Sequence, residues 1–138
     1  DKNAKLLCGG KRNGNFFEPT VLINVSDECI IAKEEVFGPV TILYNFTKSE
    51  EAIEQANNVN YGLQAGIFTT NLETAFELAD AIECGGVMIN DSSDYRIDAM
   101  PFGGVKNSGV GREGVKNAIT EMTDIKTYCF NLRKKISK

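Results

Sequence analysis

A chain that does covalent or acid–base chemistry must carry nucleophiles, proton carriers or metal ligands, and here that inventory is narrow. The 138 residues include no histidine, which removes Ser–His and Cys–His couples and every histidine metal ligand. Carboxylates, lysines, tyrosines and four cysteines remain: Cys8, Cys29, Cys84 and Cys129. With no C-x-x-C and no close pair, they spell neither a zinc site nor a redox motif, so free reduced thiols are expected. A reactive thiol needs a helix N-terminus or a cation beside it. Cys84 is expected at a helix C-terminus, where the dipole opposes a thiolate, Cys8 in a glycine turn and Cys129 in a strand. Cys29 stands at a helix start, but Asp27 and Glu28 beside it oppose ionisation. No catalytic nucleophile and no metal site is therefore assigned within the chain.

Two other patterns carry chemical meaning. Gly109-Val110-Gly111-Arg112-Glu113-Gly114 is a literal G-x-G-x-x-G, but a diphosphate cradle needs a strand immediately before it and an acidic residue about 20 positions after. The nearest preceding strand is expected to end at Asn90, so this run reads as a glycine-rich loop packed before a helix. In Glu34-Glu35-Val36-Phe37-Gly38-Pro39, by contrast, a helix end carrying two carboxylates and a ring is halted by Gly-Pro. An ionised carboxylate on such a corner accepts two strong hydrogen bonds in the geometry of a vicinal diol. The alternative is a solvated acidic pair beside a core Phe.

These residues need a frame. With 42% apolar and 25% charged residues the composition is that of one globular domain, and a chain of this length is able to bury about two thirds of its unfolded surface. A net charge of −4 offers no attraction to nucleic acid or anionic lipid. The longest apolar run is far short of the ~20 residues that cross a bilayer. Asp1-Lys2-Asn3 does not open a signal peptide, and a cytoplasmic protein is expected. Strands are expected at 20–25, 40–46, 65–68 and 87–90, from β-branched and aromatic runs bounded by Gly, Pro and polar residues. A short helix should follow Ser26-Asp27-Glu28 to about Glu35. Capping boxes at Thr47-Lys48-Ser49-Glu50 and Thr70-Asn71-Leu72-Glu73 should open two more helices. The second of these carries Leu72, Ala75, Phe76, Ala79 and Ile82 on one face. A long loop over 91–110 precedes a helix with Val115, Ala118, Ile119 and Met122 on one side, and a last strand is expected near 125–132. Alternating strands and helices imply an α/β layered fold with a parallel component.

In order and spacing, three segments resemble the aldehyde dehydrogenase superfamily: Glu34 to Val40; Ala56-Asn57-Asn58 to Tyr61-Gly62-Leu63; and Pro101-Phe102-Gly103-Gly104-Val105-Lys106-Asn107-Ser108-Gly109. The match runs from about Ala4 to the C-terminus and covers only the family's C-terminal part. The resemblance implies a mostly parallel sheet with flanking helices, residues 1–123 being part of the catalytic domain and 124–138 an oligomerisation strand and basic tail. In that family a cysteine thiolate attacks the aldehyde, hydride passes to NAD or NADP, and a glutamate-activated water hydrolyses the thioester. By the same resemblance Glu35 holds the nicotinamide ribose, Phe37 packs beside the nicotinamide and Phe102 lines the aldehyde pocket, unless Phe102 is simply a loop anchor.

The loop containing Tyr95-Arg96-Ile97-Asp98 looks most like the branch acting on small hydroxy-, phospho- or phosphono-aldehydes, such as lactaldehyde or glyceraldehyde 3-phosphate. Arg96 there offers a planar fork to an anionic substrate tail, or else pairs with Asp94 or Asp98. The family's cofactor domain, general base and catalytic cysteine motifs all lie upstream, so this segment alone is expected to be inactive. The absence of an initiating Met is compatible with a piece of something longer. Expected partners are a small aldehyde, the rest of a dehydrogenase chain and further copies in a homo-oligomer. The alternative is a non-catalytic α/β assembly module; a small nucleotide binder using the glycine-rich loop is the third.

Overall fold

The chain opens with an antiparallel pair followed by a parallel one. In the computed structural model, which describes residues 3–132, strand β1 (Lys5–Cys8) leads through a small hairpin, β2 (Arg12–Asn13) and β3 (Phe16–Phe17), to β4 (Thr20–Ile23). Helix α1 (Ile30–Lys33) then carries the chain to β5 (Val40–Leu43). These form a three-stranded sheet in the order β1-β4-β5, with β1 antiparallel and β5 parallel to β4. Thr20 is the buried polar residue of this sheet and is satisfied twice: its hydroxyl donates to the Glu18 carbonyl at 2.7 Å and accepts from the Gly10 amide at 2.8 Å. Cys8 thus ends a strand rather than lying in a turn, because the glycine turn begins one residue later.

A βαβ unit follows. Helix α2 (Ser49–Asn57) and strand β6 (Tyr61–Gly62) lead to β7 (Gln64–Ile67), helix α3 (Leu72–Ala81) and β8 (Gly86–Ile89), which pairs parallel to β7 from Gln64↔Gly86 to Ile67↔Ile89. Ile67, Ala75 and Met88, one from each element of this unit, are buried, and with Val25 they are the buried apolar side chains among the described residues. Strand β9 (Val105–Lys106) pairs antiparallel with β6, and helix α4 (Val115–Glu121) closes the described secondary structure. The fold is α/β, its two four-residue parallel ladders accompanied by shorter antiparallel ones.

Several local details differ from the sequence reading. The Thr47 amide is capped by Glu51 at 2.9 Å rather than by Glu50, because the helix starts at Ser49 and places Glu51 in register with Thr47. For α3 the capping side chain is Asn71, which accepts from the Thr74 amide at 3.0 Å, not Thr70. Cys84 lies three residues beyond the end of α3, and its thiol donates to the Gly86 carbonyl at 3.1 Å. The strand expected near 125–132 is not formed: those residues are exposed and pair with nothing in the described sheets. A strand exists only through a partner's hydrogen bonds, and here none is within reach. The basic run Arg133-Lys134-Lys135 lies outside the described residues.

The burial expected of a self-contained domain is absent. A folded monomer of 15.1 kDa exposes about 7,100 Å² by the usual scaling with mass, whereas this chain exposes 11590 Å². Phe16, Phe68, Leu72, Phe76, Val115 and Met122 are among the large apolar side chains left in solvent. The apolar faces of α3 and α4 that the sequence marks for burial are therefore largely uncovered.

Candidate functional site

The acidic corner is built by a helix that stops abruptly. Glu34 caps α1 in an extended conformation, its amide still donating to the Ile30 carbonyl at 2.8 Å. The turn then tightens through Gly38 N–H to the Val36 carbonyl at 2.9 Å and Val40 N–H to the Gly38 carbonyl at 2.8 Å. Pro39 enters β5, and its carbonyl accepts from the Thr20 amide at 2.8 Å, which pins the corner to the sheet. Phe37 consequently projects outward, 95% exposed. Among the described residues this ring is not part of the core, and a ring so placed leaves its apolar area free for another surface.

Glu35 lines an open depression of about 310 Å³ together with Glu34, Tyr61, Leu63 and Ser108. The three sequence segments that carry the family resemblance meet here. Tyr61 donates its phenolic O–H to Glu34 Oε2 at 3.2 Å, across 27 residues of chain. The negative charge of Glu34, that hydrogen bond, slight desolvation and the charge of Glu35 together hold the Tyr61 phenol above its ordinary value. One residue on, the Gly62 amide donates to Ser108 Oγ at 2.9 Å. Gly62 must be glycine: a Cβ there would collide with the Glu83 carbonyl and stand 2.8 Å from Val105 Cγ2. Behind this wall the half-buried Lys106 ammonium pairs with Glu83 at 2.7 Å and donates to the Asn57 and Val59 carbonyls at 2.8 and 3.2 Å.

A second depression of about 380 Å³ shares Leu63 and Ser108 with the first and is lined further by Phe102, Gly103, Arg112 and Glu113. Arg96 stands at Phe102: its guanidinium carbon lies 4.1 Å from the ring centroid and Nη2 is 3.1 Å from Glu113 Oε2. The ion-pair partner is thus Glu113 rather than Asp94 or Asp98. Phe102 and Glu113 exchange both backbone hydrogen bonds, at 3.2 and 2.6 Å, and this brings a residue 17 positions away onto Arg96 while the adjacent aspartates point elsewhere. Phe102 is half-buried, so one part of the ring anchors the loop and the rest faces the depression.

The glycine-rich run 109–114 is a loop. Arg112 Nη1 threads it, donating to the Gly104 carbonyl at 3.0 Å and the Gly111 carbonyl at 2.7 Å. Gly114 caps the seven-residue α4 at φ 112°, where an L side chain would be strained. The strand before it is β9 rather than one ending at Asn90, but β9 is two residues long and pairs antiparallel with β6, so the run lacks the parallel βαβ setting of a diphosphate cradle. Among the described residues no cluster of three or more His, Cys, Asp or Glu is placed to hold a metal, and no helix is long and apolar enough to cross a membrane.

Sequence reasoning singled out Glu35, Phe37, Phe102 and Arg96: Glu35 lines the first depression and Phe102 the second, Arg96 lies over the Phe102 ring, and Phe37 lines neither. It missed Tyr61, Ser108 and Glu113 as site residues. All three lie inside or beside the quoted motifs, but only the fold reveals that Tyr61 meets Glu34 and Glu113 meets Arg96.

The corner, the convergent motifs and the largely uncovered α/β framework define a segment of a larger α/β fold, and the profile of the aldehyde dehydrogenase family matches residues 1–128. The chain belongs to the aldehyde dehydrogenase family. It is 47% identical over 132 residues to a 3-sulfolactaldehyde dehydrogenase of Priestia aryabhattai, covering 96% of this chain and 28% of that protein. To a lactaldehyde dehydrogenase of Methanococcus aeolicus it is 48% identical over 132 residues, with the same coverage of 96% and 28%. Among solved structures, the glyceraldehyde-3-phosphate dehydrogenase GapN of Methanocaldococcus jannaschii complexed with NADP superposes with a TM-score of 0.82 at 50% identity, over 91% of this chain and 27% of that one. The chain therefore spans little more than a quarter of the length of these relatives.

Proposed function

We propose that this chain is the C-terminal portion of an NAD(P)-dependent aldehyde dehydrogenase that oxidises a small aldehyde to its carboxylate. Residues 1–123 complete the catalytic domain, and the stretch from 124 onward serves subunit assembly. The observation that carries the reading is the convergence of Glu34 and Glu35, Tyr61 and Ser108, one or more from each of the three motif segments, on one open depression. Glu35 fits the two hydroxyls of a nicotinamide ribose, because it is exposed and no ion pair among the described residues claims it. Phe37 fits the flat nicotinamide, offering an uncovered ring that shields it from water. NAD or NADP, when bound, supplies the hydride acceptor.

Across the shared wall of Leu63 and Ser108, Phe102 presents an apolar face to the aldehyde's carbon chain. Arg96 has N–H donors beyond the one given to Glu113, and these receive an anionic tail. The relatives named for 3-sulfolactaldehyde, lactaldehyde and glyceraldehyde 3-phosphate favour a short hydroxyaldehyde with or without such a tail. Nucleophile and general base come from the preceding portion of the protein, so the isolated chain is inactive. Four free, dispersed thiols support a reducing compartment such as the cytoplasm.

The test is to express the whole reading frame that carries this chain and to assay it with lactaldehyde, 3-sulfolactaldehyde and glyceraldehyde 3-phosphate, each with NAD and NADP. Reduced cofactor should form with at least one aldehyde, and none should form with the 138-residue chain alone. A folded full-length protein that turns over none of these combinations would overturn the proposal.

A further inference from the structure

We propose that Tyr61 is a positioning residue for the cofactor: by hydrogen-bonding Glu34 it sets the direction in which Glu35 presents its carboxylate. The inference rests on the cofactor reading above and adds to it a residue that does not itself touch the ribose.

The corner that carries Glu35 has little of its own to hold it. Helix α1 is four residues long, too short to be rigid by itself. Phe37 packs on nothing, and Glu34, Glu35 and Val36 are all exposed. Two adjacent carboxylates repel each other, and no cation settles them: Lys33, the nearest ammonium in sequence, is engaged by Glu28 at 3.0 Å. The Pro39 carbonyl pins the far side of the corner to the sheet through the Thr20 amide, and the side-chain tie from the acidic pair itself to the body of the chain is the 3.2 Å hydrogen bond from Tyr61 to Glu34 Oε2.

Tyr61 in turn stands on firm ground. It pairs with Lys106 in the β6/β9 ladder, and its neighbour Gly62 is buried, held by Ser108 and hemmed in by Val105 and Glu83. A phenol is also suited to the task, since it donates to a carboxylate without neutralising it and leaves the net charge at the ribose site intact. The negative charges facing it favour the protonated, donating form. Rigid ladder, phenol, Glu34 and Glu35 therefore form one mechanical chain, with the cofactor ligand at its free end.

The experiment uses the full-length protein and fluorescence titration with NADH and NADPH, alongside steady-state kinetics. Tyr61→Phe should weaken cofactor binding about five-fold, the worth of one hydrogen bond to a charged group on a solvated corner, while the KM for aldehyde stays unchanged. Glu34→Leu, at an exposed position, breaks the same bond from the other side and should show the same loss, with its denaturation midpoint measured alongside. Glu35→Ala should cost more, and adding Tyr61→Phe to it should cost nothing further, because the effect passes through Glu35. Cofactor affinity of Tyr61→Phe within about twofold of the parent, an aldehyde KM that rises in step, or full additivity with Glu35→Ala would each overturn the positioning role. A parent protein that binds neither NADH nor NADPH would instead sink the cofactor reading itself.

Discussion

Arg96 shows how one side chain can be both structural and available. Its guanidinium lies over Phe102 and is tethered to Glu113, with the side chain still 43% exposed. An ion pair this open is worth little in stability, and under the proposed function it orients the fork toward an anionic tail. In the full-length enzyme Arg96→Met should raise the KM for a sulfonate-, carboxylate- or phosphate-tailed aldehyde by about tenfold or more, the cost of a charge-assisted hydrogen bond. The KM for an uncharged aldehyde of similar length should be unaffected, and an equal rise for both would argue that Arg96 only braces the loop. At this scale the exposed corner that carries Glu35 and Phe37 was legible because Gly-Pro after a helix end makes a corner whatever the rest of the chain does. Glu113 was not, since nothing in local spacing brings residue 113 to residue 96 across a glycine loop.

Among the elements, Asn57 is the hinge pin. Its amide donates to the Ala81 carbonyl at 2.8 Å and its oxygen accepts from the Glu83 amide at 2.8 Å, joining the last residue of α2 to the end of α3. The same residue's carbonyl receives Lys106. Asn57→Ala should therefore destabilise the folded enzyme by about 2 kcal/mol, two modest hydrogen bonds lost from a half-buried site, read as a lower midpoint in denaturant. Asn57→Asp keeps the acceptor and should lose about half as much. An unchanged midpoint in Asn57→Ala would show that other contacts carry the α2–α3 junction. The alternation of strands and helices was readable along the chain because β-branched runs and helical apolar spacing are local signals. The two-residue strands β6 and β9 were not, because each exists only through the other.

For the molecule as a whole, the surface account is decisive. Exposing 11590 Å² where a monomer of this mass exposes about 7,100 Å² leaves apolar faces that a longer protein covers. The isolated 138-residue chain should consequently bind a hydrophobic dye and sediment as oligomers or aggregates. A dye-silent, monodisperse monomer would mean that these faces close on themselves. The segment around Ile125, Tyr128, Phe130 and Leu132 is exposed and without a strand partner in the described sheets.

What the residues alone established was the chemistry excluded and the family of the segment: no imidazole, no metal cluster spelled in the spacing, and three motifs in a particular order. Short-range rules sufficed for that, because composition and turn chemistry do not depend on what lies opposite. Folding in three dimensions decided which motif residues face one another, that Tyr61 braces Glu34, that Glu113 rather than an aspartate holds Arg96, and that the last expected strand stays unformed. Those outcomes hang on contacts between residues far apart in sequence, and on surfaces whose partners lie outside this stretch of chain, which no local pattern encodes.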